Sequence, residues 1–179
     1  MDKKDLLKEL ERKGDYSIIL LDEISADISK LNDYPTSKVS NKLEEVYQKI
    51  EYAKSQGINV ANIEKKLLDF RILFFLNNIE TKLELIKNNG NEFNTDLRLI
   101  ESEYNKLIEQ DGVDLELLKN SMNNLRNEVK KSKLLLKLKD YGISFGKSIY
   151  NMDEIQSEYL ELKKKGVNLE EIEKILYES

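Results

Sequence analysis

Gly57-Ile58-Asn59-Val60 recurs as Gly112-Val113-Asp114-Leu115 and again as Gly166-Val167-Asn168-Leu169. Each copy has an apolar residue six positions after its glycine (Ile63, Leu118, Ile172) and another ten after it (Leu67, Met122, Leu176). The glycines stand 55 and 54 residues apart. A glycine in the left-handed conformation closes one helix without a Cβ penalty. The Asn or Asp two residues later is placed to cap the next helix by accepting its free N–H groups. Between them, Ile58, Val113 and Val167 precede Ile63, Leu118 and Ile172 by the spacing of a hydrophobic staple. Asn168 also has Glu171 at the capping-box position. The motif therefore predicts a tight helix–helix turn, three times over.

Working outward, the last two copies are preceded by Ile-x-Ser-Glu-Tyr, at Ile100–Tyr104 and Ile155–Tyr159. Gly14 leaves a weaker trace of the same turn, and Pro35 interrupts the first part of the chain. Looser breaks are expected at Asn88-Asn89-Gly90-Asn91 and across 141–150, with Asn151 and Glu154 as a second capping box. The pattern predicts helices near 3–13, 15–31, 38–56, 59–88, 95–110, 114–140, 151–165 and 168–178. The expected fold is all-α: an elongated helical bundle or short α-solenoid of about eight helices, with an internal repeat of about 54 residues. The segments would be N-terminal helices over 1–37, repeats over 38–94 and 95–150, and a truncated repeat over 151–179, all in one structural domain.

The helix after Asn59 carries two apolar stripes. Val60, Ile63, Leu67, Phe70 and Phe74 form one, while Leu68, Ile72, Phe75, Ile79, Leu83 and Ile86 lie opposite. Such a helix is expected to be sandwiched between neighbours. At about 1.5 Å per residue it would run roughly 44 Å, which favours an elongated arrangement.

Composition narrows the chemistry. Cysteine, histidine and tryptophan are absent from the 179 residues. Disulfides, thiolate or imidazole zinc sites, and Cys–His or Ser–His–Asp nucleophile systems are thereby excluded. The apolar stretches Ile18–Leu21 and Ile72–Leu76 fall far short of the roughly 20 residues of a membrane helix. No signal peptide follows Met1-Asp2-Lys3-Lys4-Asp5, so a cytoplasmic address is expected. A net charge of −5, spread along the chain, gives no global attraction to nucleic acid or anionic lipid.

The turn resembles one in helical-repeat segments of archaeal proteins, where Ala-Lys-x-x-Gly-[Ile/Val]-[Asp/Asn]-[Val/Leu] joins two helices. Ala53-Lys54-Ser55-Gln56-Gly57-Ile58-Asn59-Val60 matches that run, whereas the later copies lack the Ala-Lys. The resemblance covers about a dozen residues per copy and implies a scaffold-like protein with no activity to carry over. Two enzyme-like or DNA-like patterns also occur. Glu158-x-x-Glu161 followed by Glu170 and Glu173 resembles the carboxylate pattern of all-α nucleotide pyrophosphohydrolases, which hold magnesium. Here the spacer is short, contains the glycine turn, and ends in Glu173 instead of aspartate. Asp22, Glu23 and Asp27 form a second acidic cluster, read as a solvated face. The run from Tyr159 to Ile172 resembles a DNA-binding helix–turn–helix. Glu170, Glu171, Glu173 and Glu178 against a lone Lys174 would repel phosphate, so nucleic acid is disfavoured there.

The remaining positive hint lies within 114–140. Leu115, Leu118, Met122, Leu125, Val129 and Leu136 are expected to form its core stripe. Arg126, Lys130, Lys133 and Lys137 run beside it and frame Leu134 and Leu138 on the other side. Those six residues are the expected partner site, if the two leucines are exposed, for an acidic partner, an amphipathic peptide or a membrane surface. If they pack on a neighbouring repeat, they are core. The expected function is a non-enzymatic interaction scaffold with a protein partner or self-association, and no cofactor or metal. Peripheral nucleic-acid or anionic-membrane binding through 126–139, and a carboxylate-based metal-dependent hydrolase, are the alternatives.

Overall fold

The computed structural model describes residues 2–89, 97–144 and 152–178. Of the breaks expected at 88–91 and 141–150, residues 90–91 and 145–150 lie outside the described residues, as does the Asn151 cap, while α3 continues to Asn89 and α5 through Gly142 to Ser144. Among those described, the chain is all-helical, in the order α1 (Lys3–Lys30), a 3-10 turn (Leu31–Asp33), α2 (Thr36–Ser55), α3 (Ala61–Asn89), α4 (Arg98–Ile108), α5 (Leu115–Ser144), α6 (Met152–Lys164) and α7 (Glu170–Glu178). No described helix is long and apolar enough to cross a membrane.

The three glycine turns form as the motif requires. Gly57, Gly112 and Gly166 have φ of 72°, 77° and 73°. Asn59 Oδ1 accepts from the Ala61 N–H at 3.0 Å, Asp114 Oδ1 from Leu117 at 3.0 Å, and Asn168 Oδ1 from Glu170 at 3.1 Å. The staple residues Ile58, Val113 and Val167 are all half-buried, above the buried Ile63, Leu118 and Ile172.

Two of the turns are true copies and one is stretched. At Gly57 and Gly166 the following N–H reaches five residues back, Ile58 to the Ala53 carbonyl (3.1 Å) and Val167 to Leu162 (3.3 Å). This paired pattern satisfies the last carbonyls of α2 and α6. Ala53 and Leu162, the last buried residues of those helices, stand four positions before their glycines, whereas Leu107 of α4 stands five before Gly112. The middle turn thus carries one extra residue, and α4 ends at Ile108, earlier relative to its glycine. Leu115 is 44% exposed, although Val60 and Leu169 at the matching position are buried.

Gly14 does not break the chain. Residues expected as two helices form the single α1, and a Cβ added at Gly14 would meet nothing within 4 Å. A helical glycine costs only about 1 kcal/mol relative to alanine, which the rest of a 28-residue helix absorbs.

The chain packs as two compact units, Met1–Leu73 and Phe74–Ser179, divided inside α3. In the first unit, Leu20, Ile24 and Ile28 of α1, with Leu31, face Val46, Ile50 and Ala53 of α2 and Ile63, Leu67 and Phe70 of α3 in a buried core. α1 and α2 run antiparallel about the Pro35 turn. Lys49 Nζ bridges Glu23 (2.8 Å) and Asp27 (2.6 Å), and nearer the other end the Tyr16 hydroxyl donates to that of Tyr52 (3.3 Å). Lys66 of α3 donates to the Ser25 carbonyl (2.9 Å) and to the Ser25 and Ser29 hydroxyls (2.7 and 2.8 Å) on the other flank of α1.

In the second unit, Phe75 of α3 stacks on Tyr104 of α4, centroids 6.2 Å apart. Leu118, Met122, Leu125 and Val129 line the first half of α5, beside α4. Beyond Val129 the buried face of α5 changes. Leu134, Leu135 and Leu138 join Ile155, Tyr159 and Leu162 of α6, with Leu169 and Ile172, in one cluster. α3 and α5 therefore each bury one face along the first half and another along the second. α3 passes from Val60, Ile63, Leu67 and Phe70 to Phe75, Ile79 and Ile86, so its stripes are used in succession rather than together. The repeated tyrosines mark the change: Tyr104 stacks on Phe75 at the middle of α3, and Tyr159 packs on the late half of α5.

Candidate functional site

Five of the six residues expected to form a partner site are inside the fold's own contacts, whereas Lys133 is exposed. Leu134 is 0% exposed and Leu138 4%, so the expectation of an exposed leucine pair is corrected: they are core beneath α6. The expected stripe residue Leu136 is instead 40% exposed. The physical reason is the change of buried face after Val129, which a single stripe drawn through Leu115 and Leu136 does not follow.

Three of the four basic residues are answered by neighbouring helices. Arg126 Nε donates to Glu101 of α4 at 3.1 Å, and its guanidinium lies 5.4 Å from the Tyr104 ring centroid. Lys130 Nζ donates to Glu161 of α6 at 3.1 Å. Lys137 donates to Glu158 and lies 3.6 Å from Glu154. Its ammonium pKa is raised, first by the Glu158 hydrogen bond, against a lesser opposing effect of burial. Lys133 lines a cleft of about 180 Å³ with Lys130, Lys137, Glu158, Glu161 and Leu162. Arg126, Lys130 and Lys137 therefore bind α5 to α4 and α6, which spends much of their charge internally.

The carboxylates that resemble a magnesium pattern are distributed likewise. Glu161 takes Lys130 and Lys165, and those bonds hold its pKa below the usual carboxylate value, Lys165 foremost. Glu173 accepts from the Tyr159 hydroxyl at 2.8 Å and lies 3.6 Å from Lys163. Glu170 lies 3.6 Å from Lys174. The Glu23 and Asp27 carboxylates share Lys49. Among the described residues no group of three such ligands is placed to hold a metal ion.

A groove of about 610 Å³ also opens within the second unit, between the end of α3, α5 and α7. Leu83, Ile86 and Leu135 supply its apolar lining, while Lys87, Lys131 and Lys174 alternate with Glu128, Glu170 and Glu171. That balance selects neither sign of ligand.

Uncovered leucines also cluster at the start of α1. Leu6 (49% exposed), Leu7 (54%) and Leu10 (56%) stand before Tyr16, the first α1 residue bonded to α2. Leu6 and Leu10 precede the buried Leu20 and Ile24 by 14 residues, two heptads, and so continue the same core stripe. α1 thus extends roughly 20 Å before that bond, at about 1.5 Å per residue, and its apolar face goes with it. The reading of the sequence missed this face because it ended a helix at Gly14. The two-heptad spacing, followed through the glycine, is the signal that finds it.

Comparison with family models, curated proteins and solved structures finds no match to the chain.

Proposed function

We propose that this chain is a non-enzymatic interaction scaffold whose protein-binding element is the N-terminal part of α1. The observation that carries the reading is the half-exposed Leu6, Leu7 and Leu10 continuing the α1 core stripe before the contact with α2. An isolated helix of about a dozen residues is marginal in water, so a leucine face held out on one is stabilised by a helix that covers it. Packing of an amphipathic face against another helix needs no cofactor and no catalytic group. The archaeal-type helical turn accords with a scaffold role. A cytoplasmic setting belongs to the same proposal, as does a repeat unit of about 54 residues.

The test is chemical cross-linking in a cell extract. Wild-type chain is compared with the variant carrying Leu6→Ser, Leu7→Ser and Leu10→Ser, with nuclease and chelator controls. Cross-linked protein complexes that vanish in the triple variant and survive both controls support the reading. Complexes indifferent to the three leucines overturn it.

A further inference from the structure

We infer that the N-terminal face of α1 pairs with the same face of a second copy, antiparallel about a two-fold axis beside Leu7; this rests on the interaction reading above and names its partner. At helical spacing, Lys3, Leu6, Leu7, Leu10, Gly14 and Ser17 share one stripe about 100° wide. Lys4 and Glu11 flank it on one side, Asp2 and Lys13 on the other. In an antiparallel two-fold pair each flank meets its own counterpart. One register then satisfies the three leucines and the flanking charges. Leu7 meets Leu7 of the second copy, and Leu6 and Leu10 meet its Leu10 and Leu6. In that register Lys4 faces Glu11 of the second copy and Asp2 faces its Lys13. The Leu7 contact lies at the axis and occurs once, the others occur twice, and both flanking pairs are of opposite sign.

The first unit also selects the antiparallel direction. Beyond Tyr16 the same α1 stripe is already buried by α2 and α3, through Leu20, Ile24 and Ile28. A parallel second helix would run onto that covered face. An antiparallel one begins near residue 13 and ends near residue 2, so it occupies the uncovered length alone. The charges of residues 2–15 are five acidic and five basic, so the segment has no net charge to oppose self-association. Two faces this short fall below the roughly 1,200 Å² of stable complexes, and the dimer is accordingly concentration-dependent.

The experiment is sedimentation velocity of the full chain over a wide concentration range. Wild type should move from the chain mass toward twice that mass. The triple serine variant should lose more than about tenfold in association with an unchanged melting temperature. Lys4→Glu alone and Glu11→Lys alone should each associate severalfold more weakly, because like charges then face one another. Mixed together they should recover association, since each carries one sign at both positions, opposite to the other's. Wild type that stays monomeric at about 1 mM, or a mixture no tighter than its components, overturns the pairing. If wild type is monomeric while the extract complexes still need the leucines, the scaffold reading stands and self-pairing fails. If neither depends on the leucines, both fail.

Discussion

Leu6, Leu7 and Leu10 on α1 stand about half exposed, whereas Leu134 and Leu138 on α5 are sealed beneath α6. Both sets lie on helices with charged flanks. The difference is what each helix finds beside it. α6 presents Ile155, Tyr159 and Leu162 to the α5 leucines, and Glu158 and Glu161 to Lys137 and Lys130. α2 and α3 cover α1 only from its middle onward. An amphipathic face records that something covers it; its neighbours decide whether that is the same molecule.

The largest effect separates the two leucine sets by stability. Leu134→Ala should cost about 2–5 kcal/mol in urea unfolding, because a buried leucine is exchanged for a cavity. Leu10→Ala should stay within about 0.5 kcal/mol at dilute concentration, as for other exposed sites. Equal costs would erase the distinction.

The glycines sharpen a second contrast, between turn and helix. Gly57→Ala and Gly166→Ala should each lose about 1 kcal/mol or more, because their φ is positive. Gly14→Ala should gain about 0.5–1 kcal/mol, since Gly14 is inside α1 with open space at its Cβ. Thermal melts of the three variants check the signs, and a destabilising Gly14→Ala would restore a break there.

The smallest effect concerns the charges that hold α5 to α6. The Lys137 pKa is raised in the folded chain, mainly by Glu158. Its contribution is whole below the ordinary lysine value and is lost as pH climbs through the raised one. Wild type should therefore be more stable than Lys137→Met at neutral pH, and the gap should close at strongly alkaline pH. A gap that widened there would contradict the assigned partner.

The turns were the most legible part of the sequence, because local chemistry sets them. Glycine at positive φ, a cap two residues on and a staple residue between them are visible without knowing any neighbour. What stayed hidden is non-local. The extra residue before Gly112, which shifts Tyr104 and Leu107 relative to the glycine, shows only when buried positions are aligned across the turns. The change of face at Val129 depends on where α6 lies, so Leu134 and Leu138 could be read as site or as core. Gly14 misled in the opposite direction: its helix cost is small, and α1 runs through it.

Amide hydrogen exchange as a function of protein concentration tests the central claim most directly. The account predicts that amides within 6–13 exchange quickly in dilute solution, having no tertiary cover, and become protected as concentration rises. Amides of Leu20, Ile24 and Ile28 should keep one level of protection throughout, because α2 and α3 cover them at any concentration. Protection within 6–13 that is the same at every concentration would contradict the account.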